Sequence, residues 1–422
     1  MTGGHDPVTE GLTAAPNGSP TPGRGRHELA GAGEALRTRV MLLGSGEFSR
    51  ELAIIFQRLG AEVIAVECYA DAPAHGVADE SVVVPLTDTD ALTTTIGRLH
   101  PNFVVTVTDE VVADALTAAA GNGFAQFFPT ARGVRLTADR EALRRLAADE
   151  LGLPTAPFWF AGSLHELRAV ADHAGYPLRV QPVTPPAGQR DSVIGGPQDL
   201  ESAWQRAVSA AATPDTARVL VETVVEIDFH VMLLAVRRDG PVGPVIDFCA
   251  PIGRNSATGD MLELWQPQEI STAALDAAKS IAARIVKALG GRGIFGVELM
   301  VRGDEVYFCD VSVRPYESAL VTLRTQRLSA FELQARAILG LAGDTIMISP
   351  GAAQLLYADG SDAGPSAGAL TEALAVPESD VRVFKRSARP DGRRLRAVAV
   401  VTAADPDTAR DRARQVSVAL GR

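Results

Sequence analysis

From residue 39 the chain alternates short apolar runs with stretches whose apolar positions recur every three or four residues. The first, RVMLLGSGEFSRELAIIFQRLGAEVIAVECY, predicts a buried strand, a Gly-Ser-Gly-Glu turn, an amphipathic helix and a second strand. SVVVPL and NFVVTVTDE continue the alternation. Strand and helix alternating over about 30 residues predict a right-handed parallel α/β unit, whose ligands gather at the carboxyl ends of the strands. Gly44, Ser45, Gly46 and Glu47 are expected at that edge.

From ADREALRRLAADELGLPTAP the pattern changes. Helices such as LHELRAVADHAG alternate with strands LRVQPV, RVLVETVVE, DFHVMLLAVR and GPVIDFCAPIG. The helix ALDAAKSIAARIVKALGG follows, and then GIFGVELMVRGDEVYFCDVSVRP, whose RGDE turn predicts a hairpin. This is α+β texture with antiparallel pairing. A last stretch, VRVFKRSARPDGRRLRAVAVVTAA, predicts two strands flanking a basic loop, with a helix to the end. Residues 1–36 are rich in Gly, Pro, Ser and Thr without apolar periodicity and read as a disordered tail.

Composition narrows the classes. The hydrophobic fraction of 46% in 422 residues is ample for two or three cores. A net charge of -11 argues against a general nucleic-acid binder. No apolar run reaches the ~18–20 residues of a membrane span, so a cytoplasmic protein is expected. Cys68, Cys249 and Cys309 lie far apart without CxxC spacing, which gives neither a disulfide framework nor a zinc signature. Only Lys279, Lys287 and Lys385 are lysines, so every basic side chain before Lys279 is arginine.

That bias bears on GYPLRVQPVTPPAGQRDS, a buried strand running into a small-residue loop. Such a loop lays backbone N–H groups over a phosphate, usually with a lysine close by. Here the strand offers Gln181. The strongest constellation is Glu298 in FGVELMV with Asp310 in YFCDVSVRP: a short turn would set both carboxylates side by side. Two buried carboxylates repel unless a cation sits between them, and oxygen-only ligands suit magnesium, which bridges nucleotide phosphates. The competing reading is an ordinary pair of half-exposed strand carboxylates. Arg314, just beyond, is placed to hold a phosphate.

The succession RVMLLGSGE, YADAPAH, LTADREALRRLAADELGLPT, GYPLRVQPV, VLVETVVEIDF, FCAPIG, LWQPQ, GIFGVELMVRGDEVYFCDVSVRP and DGRRLRAVAV resembles the formate-dependent phosphoribosylglycinamide formyltransferase family of the ATP-grasp superfamily. YADAPAH and WQPQ are the strings specific to it. The resemblance implies a multidomain α/β and α+β chain: a Rossmann-like domain over 37–139, an ATP-grasp domain over 140–341 with a mobile subdomain at about 152–225, and a small barrel-like domain over 342–422. It implies activation of formate by MgATP to an acyl phosphate, attack by the amine of glycinamide ribonucleotide or a related phosphoribosyl amine, and a homodimer. Carried over by motif, Arg140 contacts phosphate, Glu222 and the Val225 backbone face adenine, Glu298 and Asp310 hold magnesium, and Arg393 and Arg394 grip the ribose phosphate. Arg386 falls where the family has a lysine. Gly46, Glu47 and Phe48 match the loop over the glycinamide end.

Departures concentrate at the nucleotide. Gln181 stands where the family has lysine, and TPPAGQRD replaces a Ser/Gly/Lys-rich loop, keeping Gly188. His230 replaces the glutamate that bonds the ATP ribose. At the amine end, VTVTDEVV leaves Asp109 as the matching carboxylate, and Tyr316-Glu317-Ser318-Ala319 replaces His-Asp-Thr-Gly, keeping an acid at Glu317. Arg179, two residues before Gln181 and roughly 6–7 Å away on the same face, is a substitute cation, as is Arg190. Two alternatives to the enzyme stay open: a nucleotide-impaired paralogue that binds a phosphorylated ligand as a sensor or partner subunit, and an enzyme using a preformed acyl phosphate.

Overall fold

The parallel alternation expected at the start of the chain is present: β1 (Arg39–Leu43), β2 (Glu62–Glu67), β3 (Glu80–Val83), β4 (Phe103–Thr106) and β5 (Gln126–Phe128) form one sheet in the order β3-β2-β1-β4-β5. Every pair in it is parallel. The computed structural model describes residues 38–109, 111, 113–121, 123, 125–184, 191–209, 217–256, 261–358, 364–384 and 394–421. The tail 1–36, Gly188, Arg190, Arg386 and Arg393 lie outside the described residues. The helix Glu47–Arg58 buries Leu52, Ala53, Ile55 and Phe56, the face its helical spacing marks out.

A second sheet is antiparallel. β6 (Phe158–Ala161), β7 (Leu178–Pro182), β8 (Ser192–Ile194) and β9 (Val219–Thr223) run in the order β6-β9-β7-β8. Helices Leu164–Ala174 and Leu200–Ser209 supply Leu167, Ala171, Leu200 and Ala203 to its small core.

The third and largest sheet has nine strands: β10 (Phe229–Gly240), β11 (Gly243–Phe248), β12 (Ile252–Ser256), β13 (Met261–Gln266), β14 (Gly293–Arg302), β15 (Glu305–Ser312), β16 (Gly351–Ala358), β17 (Ser379–Val383) and β18 (Arg394–Thr402). The path runs β15-β14-β10-β12-β13-β16-β18-β17, with β11 a hairpin on β10. β10 reads VMLLAV over 231–236 because both its faces are covered. Val231, Leu233 and Ala235 pack with Val297 and Leu299 against the helix Thr272–Leu289, while Met232, Leu234 and Val236 face a second core that includes the helix Ala330–Leu339.

The C-terminal strands do not stand apart among the described residues. β16 pairs with β13 and β18 with β16, so the strands within 342–422 continue the large sheet. Two apolar strands, β13 and β16, needed partners, and antiparallel pairing supplies both. No described helix is long and apolar enough to cross a membrane.

Candidate functional site

The hairpin β14–β15 places Glu298 directly opposite Asp310, with a register shift immediately after Glu298. That irregularity lets Phe308 pair with Leu299 on the apolar face while Asp310 stays on the face of Glu298. Burial first, and the Glu298 charge second, push the Asp310 carboxyl up to about 6. No third acidic, His or Cys side chain joins them into a metal-holding group among the described residues. Both carboxylates are half-buried, and two carboxylates facing each other are a donor set for a hard divalent cation that takes its other ligands from water and phosphate, so the residues present fit magnesium.

Period-two geometry extends this face across the sheet. Met232 of β10 pairs with Glu298 on one side and Ile252 of β12 on the other, which puts His230 and Arg254 on the same side as Glu298. Arg254 Nη1 donates to Glu298 Oε1 at 2.8 Å. Beside Arg254, Gly253 has no Cβ because one would meet the Trp265 ring at 2.2 Å. The WQPQ string is itself structural: Trp265 Nε1 donates to Gln268 Oε1 at 2.9 Å, and Gln266 Nε2 to the Ala250 carbonyl at 2.7 Å.

The four-stranded sheet brings its residues to this face. Gln181 is buried and its Nε2 donates to Asp191 Oδ2 at 3.0 Å. Burial raises the Asp191 pKa against the pull of Arg140 and Arg179. Arg140 Nη1 donates to the Pro182 carbonyl at 2.9 Å, which seats its guanidinium beside the strand that carries Gln181. Arg179 lies across from Glu222 in the β7–β9 register. Partial burial, then the charges of Arg179 and Arg254, hold the His230 pKa below its usual value. A neutral imidazole then presents one donor and one acceptor to the cleft.

Glu222 is buried and bound by Arg144, whose Nη2 stands 2.6 Å from Oε1. Arg144 also donates to the Phe308 and Cys309 carbonyls at 3.1 and 3.0 Å. Val225 follows β9 in irregular chain, half-buried.

At the other end of the face, Arg314 is buried and donates to Asp109, which lies beyond the carboxyl end of β4. Its guanidinium also sits 5.5 Å from the Tyr316 ring centroid. Phe48, in the first turn of the helix that Gly46 caps and Glu47 begins, has its ring centroid 6.4 Å from that of Tyr316. Gly44 takes φ +87°, and a Cβ there would strike Thr108 at 2.7 Å, so this turn approaches the chain next to Asp109. Tyr357 donates to Glu317. The Glu317 charge first, then partial burial, push the Tyr316 phenol up. Arg394 is buried at the start of β18.

The structure therefore draws Arg140, Arg179, Gln181, His230, Glu298 and Asp310 to one face and gathers Gly46, Glu47, Phe48, Asp109, Arg314 and Glu317 near one edge. Three participants were missed from sequence: Arg144, Arg254 and Asp191. Asp191 ends the TPPAGQRD loop, and its offset of ten from Gln181 across a hairpin was the available signal. Arg144 and Arg254 gave none, because each acts on a carboxylate distant in sequence.

A model of the ATP-grasp domain matches residues 146–331. The formate-dependent phosphoribosylglycinamide formyltransferase of Corynebacterium efficiens is 47% identical over 385 residues, covering 91% of this chain and 95% of the relative. That of Rhodococcus jostii is 46% identical, with 90% and 94% covered. Among solved structures, glycinamide-RNase-transformylase T from Mycobacterium tuberculosis is similar at TM-score 0.78 and 58% identity over 90% of this chain and 99% of that one. N5-carboxyaminoimidazole ribonucleotide synthetase from Thermotoga maritima, with a TM-score of 0.75 at 21% identity over 90% of this chain and 98% of that one, shares the fold alone.

Proposed function

The chain belongs to the formate-dependent phosphoribosylglycinamide formyltransferase family, and from that premise we propose that it uses ATP and magnesium to activate formate and formylates the amine of glycinamide ribonucleotide. Its relatives carry that name along nearly their whole length. This favours the enzyme over a nucleotide-impaired sensor and over a user of preformed acyl phosphate. The observation that carries the reading is the Glu298–Asp310 pair with Arg140, Arg179 and Arg254 around it.

The chemistry needs positioning and charge neutralisation rather than a protein nucleophile. A formate oxygen attacks the γ-phosphorus and ADP leaves. The amine then attacks the formyl carbon, a C–N bond forms, the C–O bond to phosphate breaks, and inorganic phosphate departs with one formate oxygen. Magnesium bound to Glu298 and Asp310 would offset charge on the β- and γ-phosphates. Arg140 and Arg179 face those phosphates, and Gln181 keeps Asp191 turned aside. Glu222 and the Val225 backbone border the adenine, and His230 gives a single bond to the ribose. Gly46, Glu47, Phe48, Asp109 and Glu317 form the amine end. The Arg314–Asp109 pair fixes that end, and Arg394 takes the ribose phosphate with Arg393 and Arg386. The β3-β2-β1-β4-β5 order supports a Rossmann-like unit over 37–139.

The test is ADP formation by the purified protein with MgATP, heavy-oxygen formate and glycinamide ribonucleotide. ADP release dependent on both formate and amine, with the heavy oxygen recovered in inorganic phosphate, is the expected result. Release that ignores either substrate, or phosphate without the label, refutes the reading.

A further inference from the structure

Arg254 differs in kind from the other cations of the site. It projects from β12 and its partner Glu298 from β14, yet these strands are not neighbours: β10 lies between them, and the guanidinium reaches across it. The bond to Glu298 is its one side-chain hydrogen bond among the described residues. Both partners remain about a third exposed, at 32% and 33%. Arg144, by contrast, is sealed at 6% and committed to a carboxylate and two carbonyls. An ion pair with water on both sides and four guanidinium donors in reserve can change partners. A sealed one cannot.

Its place matters as much as its freedom. Arg254 acts on Asp191 and His230 on the nucleotide side and is acted on by Glu317 and Tyr316 on the amine side. It therefore stands between the two halves of the reaction, where the transferred phosphoryl group has to lie. The β7 strand meanwhile supplies a neutral amide, Gln181, which gives one of its two N–H donors to Asp191.

We propose that Arg254 is an exchangeable counter-ion of the carboxylate pair: it holds Glu298 until a divalent cation claims that carboxylate, and then turns to the phosphoryl group that Gln181 cannot neutralise. A divalent cation facing two opposed carboxylates outcompetes a single monovalent guanidinium for one of them. The released guanidinium then presents its planar fork to phosphate oxygens. The inference rests on the magnesium and ATP reading above.

Two titrations of the full chain and of Arg254→Met separate the exchange from a structural role. In the first, manganese, a divalent cation with the same preference for oxygen ligands, is added without nucleotide, and loss of its free-ion paramagnetic resonance signal reports binding. In the second, the non-hydrolysable β,γ-imido analogue of ATP is titrated calorimetrically with magnesium present. Exchange requires opposite signs. Arg254→Met should bind manganese about threefold or more tightly and the magnesium–analogue complex about tenfold or more weakly, while Arg254→Lys recovers part of the analogue affinity. Both affinities falling together, both rising, or neither moving overturns the role of Arg254. If the unaltered chain binds the analogue and the variant shows no opposed shift, only Arg254 is at fault. If the unaltered chain binds neither ligand, the nucleotide reading falls and this inference with it.

Discussion

Arg144→Met strips a buried cation of three acceptors at once: Glu222 Oε1 at 2.6 Å, the Phe308 carbonyl at 3.1 Å and the Cys309 carbonyl at 3.0 Å. The first acceptor belongs to the four-stranded sheet and the other two to β15, so the guanidinium ties the strand carrying Asp310 to the sheet carrying Arg179 and Gln181. Leaving Glu222 buried and uncompensated costs about 3–5 kcal/mol. Methionine keeps much of the aliphatic stem, so packing loss adds little beside that charge term. The double variant Arg144→Met/Glu222→Leu removes the stranded charge and leaves only two carbonyls short of a donor, at about 1–3 kcal/mol each, with new apolar contact offsetting part of it. Urea unfolding of the four proteins, followed by tryptophan fluorescence with Trp159 in β6 as a local reporter, gives the cycle. The double variant should be more stable than Arg144→Met alone, with a coupling of about 2 kcal/mol or more. A loss under about 1 kcal/mol in Arg144→Met, or additivity within about 0.5 kcal/mol, refutes the clamp.

Two further outcomes follow from the same face. Asp310 is raised from 3.8 to about 6 in the folded chain. Without a divalent cation its neutral form is favoured by folding, a contribution present below about pH 4 and lost as pH rises through about 6, worth on the order of 3 kcal/mol. Thermal stability without magnesium should therefore fall across that window, and Asp310→Asn should flatten the slope; an equal slope in the variant would show that other groups set it. Gln181→Lys restores a lysine beside Asp191, yet Arg140, Arg179 and Arg254 already supply positive charge there. Affinity for the magnesium–analogue complex should change by less than about tenfold, or 1.4 kcal/mol, whereas a gain of about a hundredfold would mean that the native site lacks a phosphate cation.

What was legible in the sequence was whatever repeats locally. Apolar alternation marked β1 to β4, and DFHVMLLAVR marked β10 as a strand. The RGDE turn marked the β14–β15 hairpin, but its register alone would set Cys309 opposite Glu298, and the register shift after Glu298, which the sequence did not show, is what brings Asp310 there. The joining of β16 to β13 was not legible, because nothing local in an apolar strand names its partner and the two lie some 85 residues apart. Arg254 and Arg144 were hidden for the same reason. Each meets its carboxylate across 44 and 78 residues respectively, counted from Arg254 to Glu298 and from Arg144 to Glu222. The family resemblance supplied roles for residues at familiar positions but could not supply a role for a cation at an unfamiliar one.

The scarcity of lysine now has a chemical consequence. Lys279 and Lys287 sit on the helix Thr272–Leu289, which covers the face of the large sheet opposite Glu298, and Lys385 lies outside the described residues. The cations described around the carboxylate pair, Arg140, Arg144, Arg179 and Arg254, are thus guanidinium groups that stay charged throughout the working pH range. Charge at the phosphate end cannot be tuned by proton loss from these groups, only by where they point. The groups left to titrate are Asp310 and Asp191, both raised by burial, and His230, lowered by partial burial and by Arg179 and Arg254. Proton loss from the carboxyls can answer the arrival of a divalent cation, whereas the arginines can answer it only by changing partners. Of these, Arg140 is tied to the Pro182 carbonyl and Arg144 to Glu222 and two carbonyls, whereas Arg254 is bonded to the carboxylate that the cation itself would take.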